Sequence, residues 1–355
     1  MKKHLKITAL VLTFLLVFAL TGCGGGKEAP SSDGAAEAGN DQVYKIIFSH
    51  ANAKGASVHD AVAEAIKEYV EKESGGRMVV EIYPDGQLGL DREVIEAVQA
   101  GTITMMGCSS AVQANFVPSA SIFDCPFAVN SIEAGGLMVT DDNLLEVLGK
   151  EYEKAGLKHM FLINGGFRNT SSSHKITKPE DFKNFKIRVM ENPVHIGLWK
   201  ALGANPTPLA ASELYTALQQ GVVEGQENAY DIAYYYAIHE VNKYFSEDCH
   251  ILAVNSYIVN KNFYDSLPSD LREILDDAME YAREKGQEAS DFFYNDYRQK
   301  ILDAGCEIYT WPAEDVAILK EKTSEIWEMV KNTDGMNPEV FEAFVAACDK
   351  ANSAN

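Results

Sequence analysis

Basic residues are scarce in this chain, which has 31 lysines and arginines against 52 aspartates and glutamates and a formal charge of -21 at pH 7. Such an acidic surface repels phosphate backbones, which argues against nucleic-acid binding. It also argues against attachment to an anionic membrane through protein charge alone. The 355 residues are 46% hydrophobic, which is ordinary for a globular protein, and this length suggests about two domains.

The sequence also lacks the short motifs that carry common chemistries. It has no glycine-rich nucleotide loop, no HExxH helix and no GxSxG nucleophile turn. Its eight histidines show no metal-ligand spacing, and its six cysteines include no CxxC pair. We therefore expect no enzyme activity, no cofactor and no metal site. The five cysteines after Cys23 are expected to be buried thiols, with one disulfide left open as an alternative.

Only one long hydrophobic run is present, and it lies at the amino terminus. Residues 7–20 are almost all apolar and follow three lysines, which suits a secretory signal peptide better than a membrane span. The run ends in Leu-Thr-Gly-Cys, which resembles the bacterial lipobox, where cleavage precedes the cysteine and a lipid is attached to its sulfur. We predict a signal peptide over residues 1–22 and a lipidated Cys23. An ordinary signal peptide with a chance cysteine is the alternative.

The segment after Cys23 has no large apolar side chain. Residues 24–42 are mostly Gly, Ala, Ser and acidic residues, a composition that cannot bury enough surface to order itself. We predict a flexible tether over residues 23–42. Cleavage would remove three lysines and no acid, leaving a formal charge of -24, so acyl chains would provide the membrane attachment.

Strand-like and helix-like patterns alternate along the rest of the chain. Runs of β-branched and aromatic residues predict strands, and apolar residues at a spacing of three and four predict helices. Alternation of the two is typical of α/β folds. A long helix at 269–304 would exceed one domain face and could brace two lobes. The predicted strands are 44–49, 78–83, 158–164 and 185–190, and the predicted helices are 59–72, 91–100, 194–202, 212–220 and 269–304, with 316–351 mainly helical.

Several ordered motifs between residues 44 and 330 identify a family. In chain order they are 83–89 (YPDGQLG), 166–170 (GFRNT), 182–189 (FKNFKIRV), 202–208 (LGANPTP), 212–221 (SELYTALQQG) and 225–228 (GQEN). In these motifs the chain resembles the extracytoplasmic solute-binding proteins of tripartite ATP-independent periplasmic (TRAP) transporters, the DctP family. The resemblance implies a substrate-capturing lipoprotein that delivers an organic acid to an ion-driven permease.

The resemblance also implies the architecture. The expected fold is α/β, two-lobed and like that of periplasmic binding proteins, with a ligand cleft between the lobes and a long lobe-spanning helix. We expect lobe I to comprise residues 43–165 plus about 254–293. Lobe II would comprise 166–253 plus about 294–355, so that the chain crosses between the lobes three times.

Arg188 is the first candidate for contact with the ligand. Strand alternation places it on the face opposite Phe185, Ile187 and Val189, and a planar guanidinium on a rigid strand can hold a carboxylate through two parallel hydrogen bonds. The resemblance implies this role. A surface salt bridge is the alternative for an arbitrary arginine.

The resemblance implies five further ligand-side residues. Arg168 matches a second family arginine that often assists at the carboxylate and is structural in some members. Asn228 matches a residue that hydrogen-bonds the ligand, with a turn or cap asparagine as the alternative. Asn52 and Asp91 occupy first-lobe positions, and Asp91 could equally be a helix N-cap. Glu191 departs from the family pattern. It would be either an acceptor for ligand hydroxyls in the cleft or a charge at its rim.

Two other departures bear on the ligand. Ser109 and Ala211 stand where sialic-acid-binding members carry larger groups, which disfavours sialic acid. Several tyrosines follow Asn228, and they would form either an aromatic wall for a sugar ring or, more often at helical spacing, core packing. These are Tyr230, Tyr234, Tyr235 and Tyr236.

The resulting prediction is a binding protein for a small carboxylate such as a C4-dicarboxylate or a sugar acid. Its expected partners are the TRAP permease subunits, and it is expected to be a monomer on the outer face of the cytoplasmic membrane, held by the lipid on Cys23. A solute-binding lipoprotein of an ABC importer is the first alternative. An exported hydrolase and a purely structural lipoprotein are more distant ones.

Overall fold

The computed structural model describes residues 42–354. The predicted signal peptide, Cys23 and all of the predicted tether but Gln42 lie outside these described residues. Among the residues that the structure describes, no helix is both long enough and apolar enough to cross a membrane.

The strands and helices alternate along the described chain, as an α/β fold requires. The strands are β1 (Tyr44–Ser49), β2 (Met78–Tyr83), β3 (Met105–Ser109), β4 (Leu157–Ser172), β5 (Lys186–Val189), β6 (Asn205–Pro208), β7 (Gly225–Asn228), β8 (Tyr244–Asn260) and β9 (Glu307–Thr310). The α-helices are α1 (Val58–Glu73), α2 (Asp91–Ala100), α3 (Ser110–Gln113), α4 (Ile132–Val139), α5 (Asp142–Lys154), α6 (Pro193–Ala201), α7 (Leu214–Gln219), α8 (Tyr230–Tyr235), α9 (Ile238–Val241), α10 (Lys261–Ser266), α11 (Ser269–Asp303), α12 (Ala313–Lys322), α13 (Glu325–Lys331) and α14 (Pro338–Ser353). Short 3₁₀ helices lie at Pro118–Asp124, Pro179–Phe182 and Ala211–Glu213.

Two long antiparallel strands, β4 and β8, form the centre of the sheet. In the described residues the strand order is β2-β1-β3-β8-β4-β7-β5-β6, with β9 also paired to β8. Strand β3 pairs with the last part of β8, opposite Asn255 to Val259, and β7 pairs with the last part of β4, opposite Asn169 to Ser172. The two long strands therefore carry one group of short strands at each end, and these groups belong to the two lobes of the fold.

The pairing of β4 with β8 is interrupted near its middle. The register shifts between Asn164 and Phe167, opposite Val254 and Leu252. Helix α11 is attached at this point, because the Gln287 and Ser290 side chains both donate to the Asn164 carbonyl, at 3.1 and 2.8 Å. The break lies where the sequence predicts the first crossing, so we retain lobe boundaries near residues 165, 253 and 293 as a proposal.

Local sequence accounts for the boundaries of the first helices, α1 and α2. The Ser57 hydroxyl accepts from the Asp60 backbone N–H at 3.3 Å and caps α1. Helix α2 ends at Gly101, whose φ of +79° is a left-handed conformation that glycine adopts without strain. Apolar faces of α1 and α11 cover the sheet there and bury Ile66 and Leu275.

The predicted elements are present, but two of them differ in extent, and the region predicted as mainly helical divides into separate helices. The strand predicted at 158–164 continues to Ser172, because tertiary pairing to β8 and β7 carries it through two glycines. The helix predicted at 212–220 is a 3₁₀ turn followed by α7. The carboxy-terminal region is three separate helices. The cysteines at 108, 125, 249, 306 and 348 are free thiols, and all but Cys249 are buried, which confirms buried thiols for those four.

Candidate functional site

Residues at the carboxyl ends of β1, β3, β5 and β7 line one cavity, the place where α/β sheets commonly bind ligands. This inner cavity has a volume of about 90 Å³. An adjoining outer cavity of about 320 Å³ shares Ala51, Asp91, Arg188, Met190, Ala211 and Tyr236 with it. The inner cavity is also lined by Asn52, Ser57, Val58, His59, Ser109, Gly165, Arg168, Leu214, Asn228, Ala229, Asp231, Ile232, Ala253 and Asn255.

Arg188 is a buried cation in the wall of both cavities. Its side chain lies on β5, between β6 and β7, and only 3% of the residue surface is exposed. Its Nε and Nη2 donate to the Leu209 carbonyl at 3.0 and 2.7 Å. Burial lowers its pKa to about 10, which still leaves the guanidinium charged at neutral pH. No carboxylate among residues 42–354 forms an ion pair with it.

Arg168, by contrast, already has a carboxylate partner. Its Nε lies 2.6 Å from Glu227 Oε2, and its Nη2 lies 2.9 Å from Glu227 Oε1 and 2.8 Å from the Glu227 carbonyl. This two-pronged pair is buried and cancels the charge of the guanidinium. Arg168 therefore lines the inner cavity as half of a neutral pair.

Glu227 also accepts from two histidines. His195 lies between it, at 3.3 Å, and Asp124, at 3.1 Å. His250 lies between it, at 3.1 Å, and Asp248, at 2.8 Å. We call these residues, with Arg168, the buried ionic cluster. Sequence reasoning named Arg168 but missed the cluster, because most of its contacts join residues that are far apart in the chain and follow no spacing pattern.

The pKa values in the buried ionic cluster reflect its pairing. Burial alone would lower the pKa of both histidines, but the neighbouring carboxylates outweigh it, so that the pKa of His195 is raised and that of His250 is raised to about 9. Burial would likewise raise the pKa of Glu227, yet the Arg168 charge and the two histidines hold it well below its usual range. The ionised forms of His195, His250 and Glu227 are therefore favoured.

Asn228 and Asn52 lie on the inner cavity, as the sequence predicts. Asn228 is the last residue of β7, is buried, and donates through Nδ2 to Gln226 Oε1 at 2.6 Å. Asn52 follows β1, and its carbonyl accepts from the Asp85 backbone N–H at 3.0 Å, which holds the Pro-Asp-Gly turn against this loop.

Asp91 lies where the two cavities meet. It is the first residue of α2, and the N-cap position belongs to Leu90, so the N-cap alternative for Asp91 is wrong. The Leu90 backbone N–H donates to Glu93 Oε2 at 2.7 Å, and this bond helps to fix the start of α2. Burial raises the pKa of the Asp91 carboxyl to about 6.

Glu191 is the one predicted residue that does not line the inner cavity. It is exposed and lies on the outer cavity, and its carbonyl accepts from Asn115 Nδ2 at 3.3 Å. The structure therefore places it at the rim. Ser109 and Ala211 both line the inner cavity.

The tyrosines after Asn228 divide between the core and the cleft. Tyr230 is buried, with its hydroxyl donating to Glu247 at 2.7 Å. Tyr234 stacks on His239, with 4.4 Å between the ring centroids. Of the four tyrosines, Tyr236 lines the cavities. The ring of Tyr235 packs against that of Tyr236 in an edge-to-face arrangement. Packing thus accounts for most of this cluster.

Four polar residues of the inner cavity were not predicted from the sequence, and one of them, Ser57, caps α1. Asp231, at the start of α8, has a buried Oδ1 without a hydrogen-bond partner among the described residues. His59 Nδ1 lies 2.9 Å from the Tyr257 hydroxyl, and burial lowers its pKa to about 3, so the ring is neutral. Asn255 lies on β8, beside the register break. Asp231 and His59 lie at helix starts and Asn255 lies inside a strand, and no local sequence pattern marks such positions as lining a cavity.

A cleft with a buried guanidinium that has no ion-pair partner in the described part of the chain is suited to holding a small anionic solute. The chain belongs to the DctP family, bacterial extracellular solute-binding protein family 7, which matches residues 48–333. Membership of this TRAP family confirms the predicted class, and the chain is not an enzyme. Proteins of the family are extracytoplasmic and work with membrane permease subunits.

Individual relatives agree with the family assignment. The C4-dicarboxylate-binding periplasmic protein DctP of Rhodobacter capsulatus is 33% identical over 282 residues, which are 78% of this chain and 83% of that one. The ectoine-binding periplasmic protein TeaA of Halomonas elongata is 29% identical over 304 residues, 84% of this chain and 88% of that one. The sugar acid binding protein DctPAm of Advenella mimigardefordensis, solved with galactonate, superposes with a TM-score of 0.81 at 26% identity and covers 87% of this chain and 99% of its own.

Proposed function

We propose that this protein captures an organic acid in its cleft and delivers it to a TRAP permease for ion-driven uptake. The observation that carries the proposal is Arg188, a buried guanidinium with no carboxylate partner among the described residues. A buried charge without a counter-ion is costly, and a ligand carboxylate removes that cost. The family assignment favours a TRAP permease over an ABC importer as the partner.

The other predicted residues take supporting roles in this proposal. Arg168 and Asn228 assist at the carboxylate, with Arg168 held in place by Glu227. Asn52 and Asp91 contact the rest of the ligand from the first lobe, and Glu191 lies further out at the rim.

Membrane attachment through Cys23 is part of the proposal and has its own test. The wild-type protein, expressed in a bacterial host grown with an alkyne fatty acid, should take up the label and sediment with membranes. A Cys23→Ala variant should do neither. Labelling of both proteins to the same extent would contradict lipidation at Cys23. The protein is also proposed to be a monomer, and a dimer in light scattering would contradict that.

The acid-binding function is tested by substitution of Arg188. A thermal-shift screen with dicarboxylates, keto acids, aldonates and uronates first identifies an acid that binds. Arg188→Lys retains a charge but loses the two-pronged geometry, so we expect both it and Arg188→Ala to weaken binding by about 2–5 kcal/mol in calorimetry.

Lys186→Ala is the matched control, since it removes an exposed cation from the same strand. Its dissociation constant should stay close to that of the wild type. Unchanged affinity in both Arg188 variants would rule out the proposed carboxylate site.

A further inference from the structure

The inner cavity has two arginines but only one uncompensated positive charge. Arg168 is neutralised by Glu227 through two contacts of 2.6 and 2.9 Å. Among residues 42–354, Arg188 donates only to the Leu209 backbone carbonyl. The wall of the cavity can therefore balance one ligand carboxylate, at Arg188.

The remaining charged groups of the inner cavity are acidic. Asp91 and Asp231 both line it, and neither forms an ion pair with a described residue. The Asp231 Oδ1 atom is buried and has no hydrogen-bond partner within the described chain, and such an atom requires a donor. A ligand that presents donors to these oxygens satisfies them, whereas a second ligand carboxylate presents only acceptors and a like charge.

The outer cavity offers no better place for a second carboxylate. Asp91 lines this cavity as well as the inner one, and Glu93 and Glu191 also lie on its wall. Its one additional cation, Arg92, is exposed and lies 3.6 Å from Glu96, and an exposed pair of this kind contributes little.

The neutral polar groups favour hydroxyls over an ammonium group. Asn52, Asn228 and Asn255 line the inner cavity, and an amide both donates and accepts hydrogen bonds. A ligand hydroxyl can accept a hydrogen bond from an amide N–H and can donate one to an amide oxygen or an aspartate. An ammonium group can only donate.

We infer that the ligand is a hydroxylated monocarboxylate, held by Arg188 at its single carboxylate, and that Asp91 is the residue that discriminates against diacids of the same length. This inference rests on the proposed function and narrows its substrate class. A sugar acid of the aldonate type has this chemistry.

The test uses acids that differ only at the end remote from the carboxylate. Galactonate and galactarate, gluconate and glucarate, and erythronate and meso-tartrate each share one hydroxylated chain, which ends in CH₂OH in the first and in a carboxylate in the second. Calorimetry on the full mature protein at pH 7.5 should show the monoacid of the best-binding pair to be at least about tenfold tighter, a difference of about 1.4 kcal/mol.

Asp91→Asn should reduce that preference to about threefold or less, because it removes the like charge and keeps the shape. Asp142→Asn is the matched control, since Asp142 is also the first residue of a helix but lies outside both cavities, and it should leave the ratio unchanged.

The possible outcomes distinguish a failure of this inference from a failure of the proposed acid-binding function. A diacid that binds as tightly as its monoacid, or a preference that survives Asp91→Asn, would overturn the inference while leaving an acid-binding protein. Tighter binding of an amino acid than of any hydroxy acid would also overturn it. Failure of every acid to bind would contradict the proposed function itself.

Discussion

Six ionisable side chains are buried together beside the inner cavity in the buried ionic cluster. With both histidines protonated, three cations face three carboxylates, so that no buried charge lacks a partner. Asp124 and Asp248 are further held by hydrogen bonds from Asn192 and Thr170. The cluster fixes Arg168 and the end of β7, and hence the geometry beside Arg188. Its members are Asp124, Arg168, His195, Glu227, Asp248 and His250.

The raised pKa of His250 predicts a loss of stability at alkaline pH. Its folded-state pKa of about 9 exceeds the ordinary value of 6.5 because Asp248 and Glu227 outweigh the effect of burial. The stabilisation is therefore complete below about pH 6.5 and disappears as the pH rises through about 9. The free energy of unfolding in urea should fall over this interval by at most about 3 kcal/mol from this residue.

A comparison of two variants isolates the contribution of His250. His250→Gln should be less stable at neutral pH and should show a flatter dependence between pH 6.5 and 9. His174→Gln, at an exposed position, should reproduce the wild-type slope. Equal slopes for His250→Gln and the wild type would mean that His250 is not protonated in the folded protein.

At the scale of elements, the packing of α11 on the first lobe depends on a close approach at Gly286. A Cβ atom there would lie 2.3 Å from Ile163 Cδ1 and 2.5 Å from Val62 Cγ2. Gly286→Ala should gain about 1 kcal/mol of helix propensity but lose more through overpacking, which typically costs about 1–3 kcal/mol. We expect a net loss of stability in urea unfolding.

Gly149→Ala provides the opposite case on another helix. Gly149 lies within α5, and a Cβ atom there meets nothing within 4 Å. This substitution should raise the free energy of unfolding by about 0.5–1 kcal/mol. Stabilisation by both alanines would show that the contact between α11, α1 and β4 is not tight.

At the scale of the whole molecule, the three crossing elements predict a hinge motion. With the proposed lobe boundaries, β4, β8 and α11 each cross between the lobes, and residues of both lobes line the cavity. Binding of the best acid from the screen should bring the lobes together and reduce the radius of gyration in small-angle scattering. The same acid should leave Arg188→Ala unchanged, and identical profiles for the wild type with and without saturating ligand would contradict closure.

The net charge of the molecule predicts little effect of salt on binding. Surface carboxylates repel an anion only over a screening length of about 8 Å at physiological salt, whereas Arg188 is buried and is screened much less. The dissociation constant should change by less than about threefold between roughly 50 and 500 mM NaCl, measured by calorimetry. A tenfold loss of affinity would place the acid at an exposed surface.

The sequence by itself determined the features that depend on neighbouring residues. Apolar periodicity, caps and terminal glycines are local, and so β1, α1, β2, α2 and α11 were predicted nearly to the residue. Strand alternation likewise placed Arg188 on the face of β5 opposite Ile187 and Val189, and the family resemblance assigned it to the cleft. Ordered family motifs supplied the class of protein and five of the polar and charged residues that line the inner cavity.

Only the tertiary structure decided how distant residues are paired. Arg168 and Glu227 are 59 residues apart, and nothing in either local sequence shows that one neutralises the other. The same holds for the two histidines, for Asp231 and for the extension of β4 through Gly165 and Gly166. Ion pairs and sheet pairing depend on distance in space, and burial sets their strength, so the charge that a ligand meets in the cleft became visible only once the chain was folded.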